Sequence, residues 1–266
     1  GSFQSEGYTI AAHVLCPPDP RGTVYLLHGY YDHVGIVRNA IEVCLRQGFN
    51  VAAYDLPGHG LSSGPRASIR DFAEYRGVLR TFVELTSAHL NGPRVIMGHS
   101  TGCAVSYDFL TTVADHGFKK AILLAPLVRP TYFRMSKIGH ILFGPLSSRT
   151  PRWLRNSSSD REFVDWAHAD PLTVRHFPMQ WADAYYAWEK QIRDSRVPEK
   201  VEITVIQGTR DDVVDWRYNV PFFKERVPAL SVVMIEGARH QLVNEAQPMR
   251  AEALEALRAA LAADKR

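Results

Sequence analysis

Cysteine is scarce in this chain of 266 residues, which holds three, at Cys16, Cys44 and Cys103. An odd count with no Cys-x-x-Cys pair speaks against both a disulfide framework and a zinc site; no other motif in the sequence implies a metal or a cofactor. Long hydrophobic runs are also missing. No apolar stretch reaches the about 18 residues that a membrane-spanning helix needs. Charge of one sign is not in excess: 31 Lys and Arg against 28 Asp and Glu leave a formal net charge of +3. The basic residues are scattered rather than gathered on one face, so nucleic acid is not an expected partner. A mildly basic surface suits transient contact with an anionic lipid surface, although solubility alone accounts for it. No secretory signal is visible, which makes the cytoplasm the expected location, with peripheral membrane contact left open. The chain opens on Gly1-Ser2 without methionine. That reads as an expression scar and leaves a targeting segment upstream open. Oligomeric state is not legible.

What is present is a chain with enough apolar residues, 45% of the total, to bury a full core without staples. No internal repeat is visible. Short β-branched runs recur at 8–16, 23–27, 50–54, 94–97, 120–124, 202–206 and 231–235. Several are continuously apolar, as strands buried on both faces are. Helical patterns separate them at 37–46, 69–89, 103–114, 218–225 and 248–261. This alternation predicts an α/β fold with a mostly parallel sheet between helices, the earliest strands forming an antiparallel pair at one edge. The alternation stops between residues 126 and 193, where no clear strand is seen and 146–160 reads as a polar loop. That stretch carries Trp153, Trp166, Trp181 and Trp188, four of the chain's five tryptophans. The expected organisation is a core of residues 1–125 and 194–266 with a helical insertion of residues 126–193. Some of these aromatics pack the insertion itself. The rest are expected to turn an apolar face to the sheet's edge and form a pocket for a hydrophobic substrate.

The chemistry begins at Gly98-His99-Ser100-Thr101-Gly102, which follows an apolar run and precedes a helical pattern. A serine on a sharp strand-to-helix turn has its hydroxyl exposed at the positive end of a helix dipole. Gly98 and Gly102 are expected there because a side chain would crowd the adjoining strand and helix. A serine needs a base, and the base an orienting acid, each placed after a later strand. Behind 231–235, His240 is the one histidine in reach. Behind 202–206, Asp211, Asp212 and Asp215 compete. An oxyanion needs two backbone N–H donors. One is expected from Thr101, after the serine, and the other from Tyr30, in the His28-Gly29-Tyr30 turn after 23–27.

These segments resemble the α/β-hydrolase superfamily, and within it the lysophospholipase and monoacylglycerol lipase group of serine-aminopeptidase-like hydrolases. The resemblance rests on His28-Gly29-Tyr30, on Asp55-Leu56-Pro57-Gly58-His59-Gly60-Leu61-Ser62, on Gly98–Gly102, on Gly208-Thr209-Arg210-Asp211-Asp212-Val213-Val214 and on His240. Asp170-Pro171-Leu172 is similar to the group's cap. The family's Gly-x-x-Asp-x-x-Val spacing selects Asp211 as the acid and leaves Asp215 as a turn or helix cap. His59 is read as bracing the loop beside the oxyanion donors. His99 is read as packing against the turn, and Cys103 as a small buried hydrophobe.

The resemblance implies a serine esterase cleaving lipid esters of hydrophobic acyl chains, of the monoacylglycerol lipase or lysophospholipase type. Ser100, His240 and Asp211 would form the triad. Tyr31, Tyr132, Phe133, Phe143, Trp153, Trp166, Trp181 and Tyr185 are the expected substrate contacts. No cationic recognition site for a phosphate head group is defined in the sequence. A rival reading is an aminopeptidase for N-terminal proline, with the ammonium held by Asp160, Glu162, Asp165, Asp170, Asp183 or Glu189. A non-catalytic ligand receptor on the same fold is a third, disfavoured because every part of the triad is present.

Overall fold

A computed structural model of the protein describes residues 1–152, 156–198 and 200–262. Trp153 lies outside the described residues. The chain opens on strands β1 (Ser2–Ser5), β2 (Tyr8–Leu15) and β3 (Gly22–Leu27), then alternates helix and strand. Helix α1 (Arg38–Arg46), β4 (Phe49–Tyr54), α2 (Ala73–Ser87), β5 (Arg94–His99), α3 (Thr101–Thr112) and β6 (Phe118–Leu124) follow. The next elements are α4 (Phe133–Phe143), β7 (Arg149–Pro151), α5 (Arg161–Ala169), β8 (His176–Pro178) and α6 (Met179–Gln191). Alternation resumes with β9 (Glu202–Gly208), α7 (Trp216–Arg226), β10 (Ala229–Ile235) and α8 (Met249–Ala262).

The central sheet runs in the order β1-β2-β4-β3-β5-β6-β9-β10. As expected, β1 and β2 form the antiparallel edge, while β4, β3, β5, β6, β9 and β10 are parallel neighbours. Successive side chains of a strand leave by opposite faces, and here both faces are apolar. Tyr25, Leu27, Ala52, Tyr54 and Ile96 join one core cluster with residues of α2, α3, α6 and α7. Val24, Leu26, Val51, Ala53, Val95 and Met97 join the other with α1 and α8. Two buried faces explain why these strands read as unbroken apolar runs rather than alternating ones.

Differences from the sequence expectation have local causes. Helix α2 starts at Ala73 rather than at 69, because the Asp71 side chain accepts the Ala73 N–H at 2.8 Å and sets the turn before it. Between β6 and β9 there is a two-stranded sheet where none was expected: Arg149–Pro151 pairs antiparallel with His176–Pro178. Strands of three residues are too short to show a period of two. Several described aromatic residues of this stretch join the main core rather than a separate one. Trp188 is fully buried and stacks on Phe72 of the main body at 4.5 Å, and Trp181, Tyr185 and Phe133 belong to the same cluster as β3 and α3.

Because β3, β5, β9 and β10 are parallel, their carboxyl ends lie at one edge of the sheet. The segments that follow them carry Tyr30, Ser100, Asp211 and His240. Open α/β sheets bind ligands at this edge.

Candidate active site

Ser100 joins β5 to α3 with φ 50° and ψ −111°, a backbone shape that costs a residue with a Cβ about 1–3 kcal/mol. The turn is over-determined by its surroundings. The Ser100 N–H donates to Leu124 O at 3.0 Å, and its carbonyl accepts from Cys103 N at 3.0 Å and Leu127 N at 3.2 Å. The two flanking glycines are required by space. A Cβ on Gly98 would lie 2.4 Å from the Gly102 carbonyl carbon, and one on Gly102 would lie 2.3 Å from Leu27 O. Cys103 is buried beneath the turn, its thiol donating to Gly98 O at 3.0 Å.

Asp211 and His240 meet from different strands. His240 Nδ1 lies 2.8 Å from Asp211 Oδ2. A carboxylate only accepts, so Nδ1 carries the proton and Nε2 keeps its lone pair. Asp211 is itself held in place: Oδ1 accepts from Val213 N at 2.9 Å and Val214 N at 3.1 Å, and Oδ2 from Gln207 Nε2 at 3.1 Å. Burial alone would raise this carboxyl, but the charge and hydrogen bond of His240 and the two amides hold it below its ordinary value. Burial pulls His240 down, yet the Asp211 carboxylate outweighs it and the imidazole stands above its ordinary value. Asp212 pairs instead with Arg239 at 3.4 Å, and Asp215 caps α7 by accepting from Tyr218 N at 3.3 Å.

The turn after β3 is built on histidine rings. His28 Nε2 accepts the Leu56 N–H at 2.8 Å, which puts the proton on Nδ1, 2.7 Å from Gly29 O. His59 contacts Pro57 O at 2.9 Å, and its ring sits 5.3 Å from that of Tyr30. Burial pushes His59 down to about 3, so it is a neutral brace. Asp32 and Gln241 carry no motif and were not singled out in the sequence. Asp32 Oδ2 lies 3.2 Å from His99 Nδ1 and 3.2 Å from Gln241 Nε2, while His99 Nε2 lies 3.2 Å from the His240 carbonyl. Against the cost of burial, these partners hold Asp32 down to about 2. His99 thus ties the serine turn to the backbone of His240. His33 ties the same loop to Asp170 at 2.8 Å.

These segments surround a cavity of about 600 Å³. Ser100, Thr101, Tyr30 and His240 line it, as do Tyr31, Tyr132, Trp181 and Tyr185. Three other expected contacts are not brought to it. Phe133 is buried beneath Arg129, whose guanidinium lies 4.6 Å from its ring centre. Phe143 is exposed on α4, and Trp166 lines a separate, smaller recess with Phe163 and Arg250. Met135, Phe177, Tyr186 and Arg152 also line the cavity. No group of three or more His, Cys, Asp or Glu side chains among the described residues is placed to hold a metal ion.

Residues 18–247 match the family model for serine aminopeptidase, S33. The chain is 37% identical over 221 residues to a monoacylglycerol lipase of Mycolicibacterium smegmatis, covering 78% of this chain and 77% of that one. It is 24% identical over 251 residues to a phospholipase of Bacillus subtilis, covering 90% and 95%. Among solved structures, a monoglyceride lipase variant from Saccharomyces cerevisiae superposes with a TM-score of 0.85 at 16% identity, over 98% of this chain and 94% of that one. That last likeness concerns the fold. By its sequence match and its sheet, the chain is a hydrolase of the α/β-hydrolase fold and belongs to the serine aminopeptidase S33 family.

Proposed function

We propose that the protein is a lipid ester hydrolase of the monoacylglycerol lipase type, working through an acyl-enzyme on Ser100. The Ser100 hydroxyl adds to the ester carbonyl and gives its proton to His240 Nε2, while Asp211 holds Nδ1–H and stabilises the imidazolium. The N–H groups of Tyr30 and Thr101 receive the developing oxyanion. Collapse expels the alcohol, which takes the proton from His240. Water then repeats the sequence and releases the fatty acid. Residues 126–193 form a cap over the serine, and the acyl chain lies among Leu127, Met135, Phe177, Trp181, Tyr185 and Val213. The observation that carries the reading is the aromatic and aliphatic cavity that has Ser100 and His240 on its wall.

A lipid surface is the proposed source of substrate. Helix α4 leaves Met135, Ile138, Ile141, Leu142 and Phe143 exposed, and Met135 and Ser136 on the same helix line the cavity. Exposed apolar patches of this kind mark contact surfaces.

The aminopeptidase reading is not favoured. Of the carboxylates it would use, Asp170 is paired with His33, Asp183 with His140, and Glu189 with Arg129 and Arg193. Among the described residues Asp32 is the one carboxylate on the cavity wall, and it is committed to His99 and Gln241.

The test is Ser100→Ala, assayed on a panel of glyceryl, phospholipid and aryl esters of graded acyl length. Wild type is expected to prefer long-chain glyceryl esters, and the variant to lose about 10⁴-fold or more in kcat while remaining folded. Unchanged turnover in the variant, or a rate that falls steadily as the acyl chain lengthens from two carbons, would reject the reading.

A further inference from the structure

The cavity carries one feature that hydrolysis of a neutral ester does not use. Arg152 directly follows β7 and lines the cavity. Its guanidinium carbon sits 3.9 Å from the centre of the Tyr31 ring, and Nη1 donates to Val174 O at 3.1 Å. Among the described residues no carboxylate oxygen comes within ion-pair distance, 4.0 Å, of it. Asp32, whose charge reaches it, is held by His99 and Gln241. Arg175 adds a second cation nearby, and its field opposes the charge on Arg152.

Tyr31 is set to support this group. Its φ of 68° is a left-handed value that non-glycine residues seldom adopt. The conformation lays its ring 4.1 Å from Tyr30, which in turn stacks on Trp181 at 4.1 Å, and Trp181 on Tyr185 at 5.3 Å. An aromatic wall thus runs along the cavity and ends on a cation. Thr150, Ser157, His168 and Gln241 supply polar neighbours on the same lining. A half-buried guanidinium with one carbonyl and one ring face for partners retains N–H donors, and a planar fork of this kind matches phosphate oxygens. Its partial desolvation strengthens any charge-assisted bond it makes.

We infer that Arg152, seated on Tyr31, is a specificity-determining residue that binds an anionic oxygen group on the alcohol part of the substrate, such as the phosphate of a monoacyl glycerophosphate. The inference rests on the lipid-ester reading and deepens it. The same chemistry has a second source, the carboxylate of the released fatty acid, and the test separates the two.

The full chain and its Arg152→Gln and Arg152→Lys variants are assayed on 1-lauroylglycerol and on 1-lauroylglycerol 3-phosphate. In Arg152→Gln the ratio of kcat/KM for the phosphate ester to that for the neutral ester is expected to fall about tenfold or more, the usual weight of one charged hydrogen bond. The loss should reside mainly in KM, and Arg152→Lys should restore part of it. A second arm needs no turnover: dodecyl phosphate should bind wild type, read by tryptophan fluorescence, more tightly than its neutral dodecylglycerol counterpart. That difference should vanish in Arg152→Gln. A ratio unchanged within twofold, or equal losses on both esters, overturns the inference. So does an Arg152→Gln variant that weakens inhibition by laurate and leaves the ester ratio alone, because Arg152 then serves the product. If neither ester is hydrolysed while the phosphate preference in binding persists, the esterase reading fails and the anion subsite stands.

Discussion

A neutral imidazole is the base that acyl transfer requires, and the neighbours of His240 set the pH at which it is neutral. Asp211 lifts His240 above its ordinary value of 6.5, so the acid limb of kcat/KM should lie on the alkaline side of that value. Asp211→Asn removes the charge that lifts it. The expected outcome is an acid limb moved to lower pH, with kcat down about 10⁴-fold, measured as a pH–rate profile; an unmoved limb would mean that another group sets it. Stability follows the same pair with opposite signs. The raised His240 contributes below pH 6.5 and loses its contribution as pH rises through the folded value, whereas the depressed Asp211 contributes above 3.8 and loses it as pH falls. At this scale the motif-bearing residues were legible, because Gly98 and Gly102 are demanded by the turn and His240 had no rival in its segment. Asp32 and Arg152 were not. Their roles arise from contacts with His99 and Tyr31, and no local pattern encodes those.

Elements with two buried faces were the easiest to read, since β3, β4 and β5 carry unbroken runs without a polar side chain at 24–27, 51–54 and 95–98. The short β7 and β8 gave no period to detect, and the aromatics of α6 could be counted but not assigned to a partner. Helix α4 is informative for the opposite reason. Met135, Ile138, Ile141, Leu142 and Phe143 face out, and Lys137 lies over the Phe133 and Tyr186 rings on another side. Ile138 and Leu142 are one helical turn apart, 58% and 61% exposed, and neither lines the cavity. Ile138→Glu and Leu142→Glu should each lower activity on substrate dispersed in anionic vesicles by about tenfold, the worth of burying one large aliphatic side chain. Turnover of a soluble short-chain ester should stay within about twofold in the same variants. Equal losses on both substrates would show that α4 acts on the site and not on the surface.

Across the whole molecule, the chain between β6 and β9 is fastened to α7 through Arg129, whose guanidinium is held by an ion pair within that stretch. Glu189 of α6, 1% exposed, accepts from Arg129 at 2.7 and 2.8 Å and from Arg193 at 2.8 Å. Arg129 also lies 3.8 Å from the Tyr218 ring centre, and Asn219 of α7 takes its N–H at 2.9 Å. Glu189→Ala strands Arg129 among these groups and should cost about 3 kcal/mol, read as a lowered denaturation midpoint in a single transition. Two separate transitions would mean that the cap melts alone. The strand–helix alternation made the parallel sheet legible, but this fastening could not be read, because Arg129, Glu189 and Asn219 converge only in the folded chain. The left-handed turn at Tyr31 has a consequence on a longer timescale. Tyr30, proposed to hold the oxyanion, and Tyr31, the seat of the guanidinium, are consecutive, so a heritable change at Tyr31 disturbs rate and preference together. Arg152 comes from a remote part of the chain. Descent can retune head-group choice through that one position without moving the oxyanion loop, and lineages are expected to diverge there first.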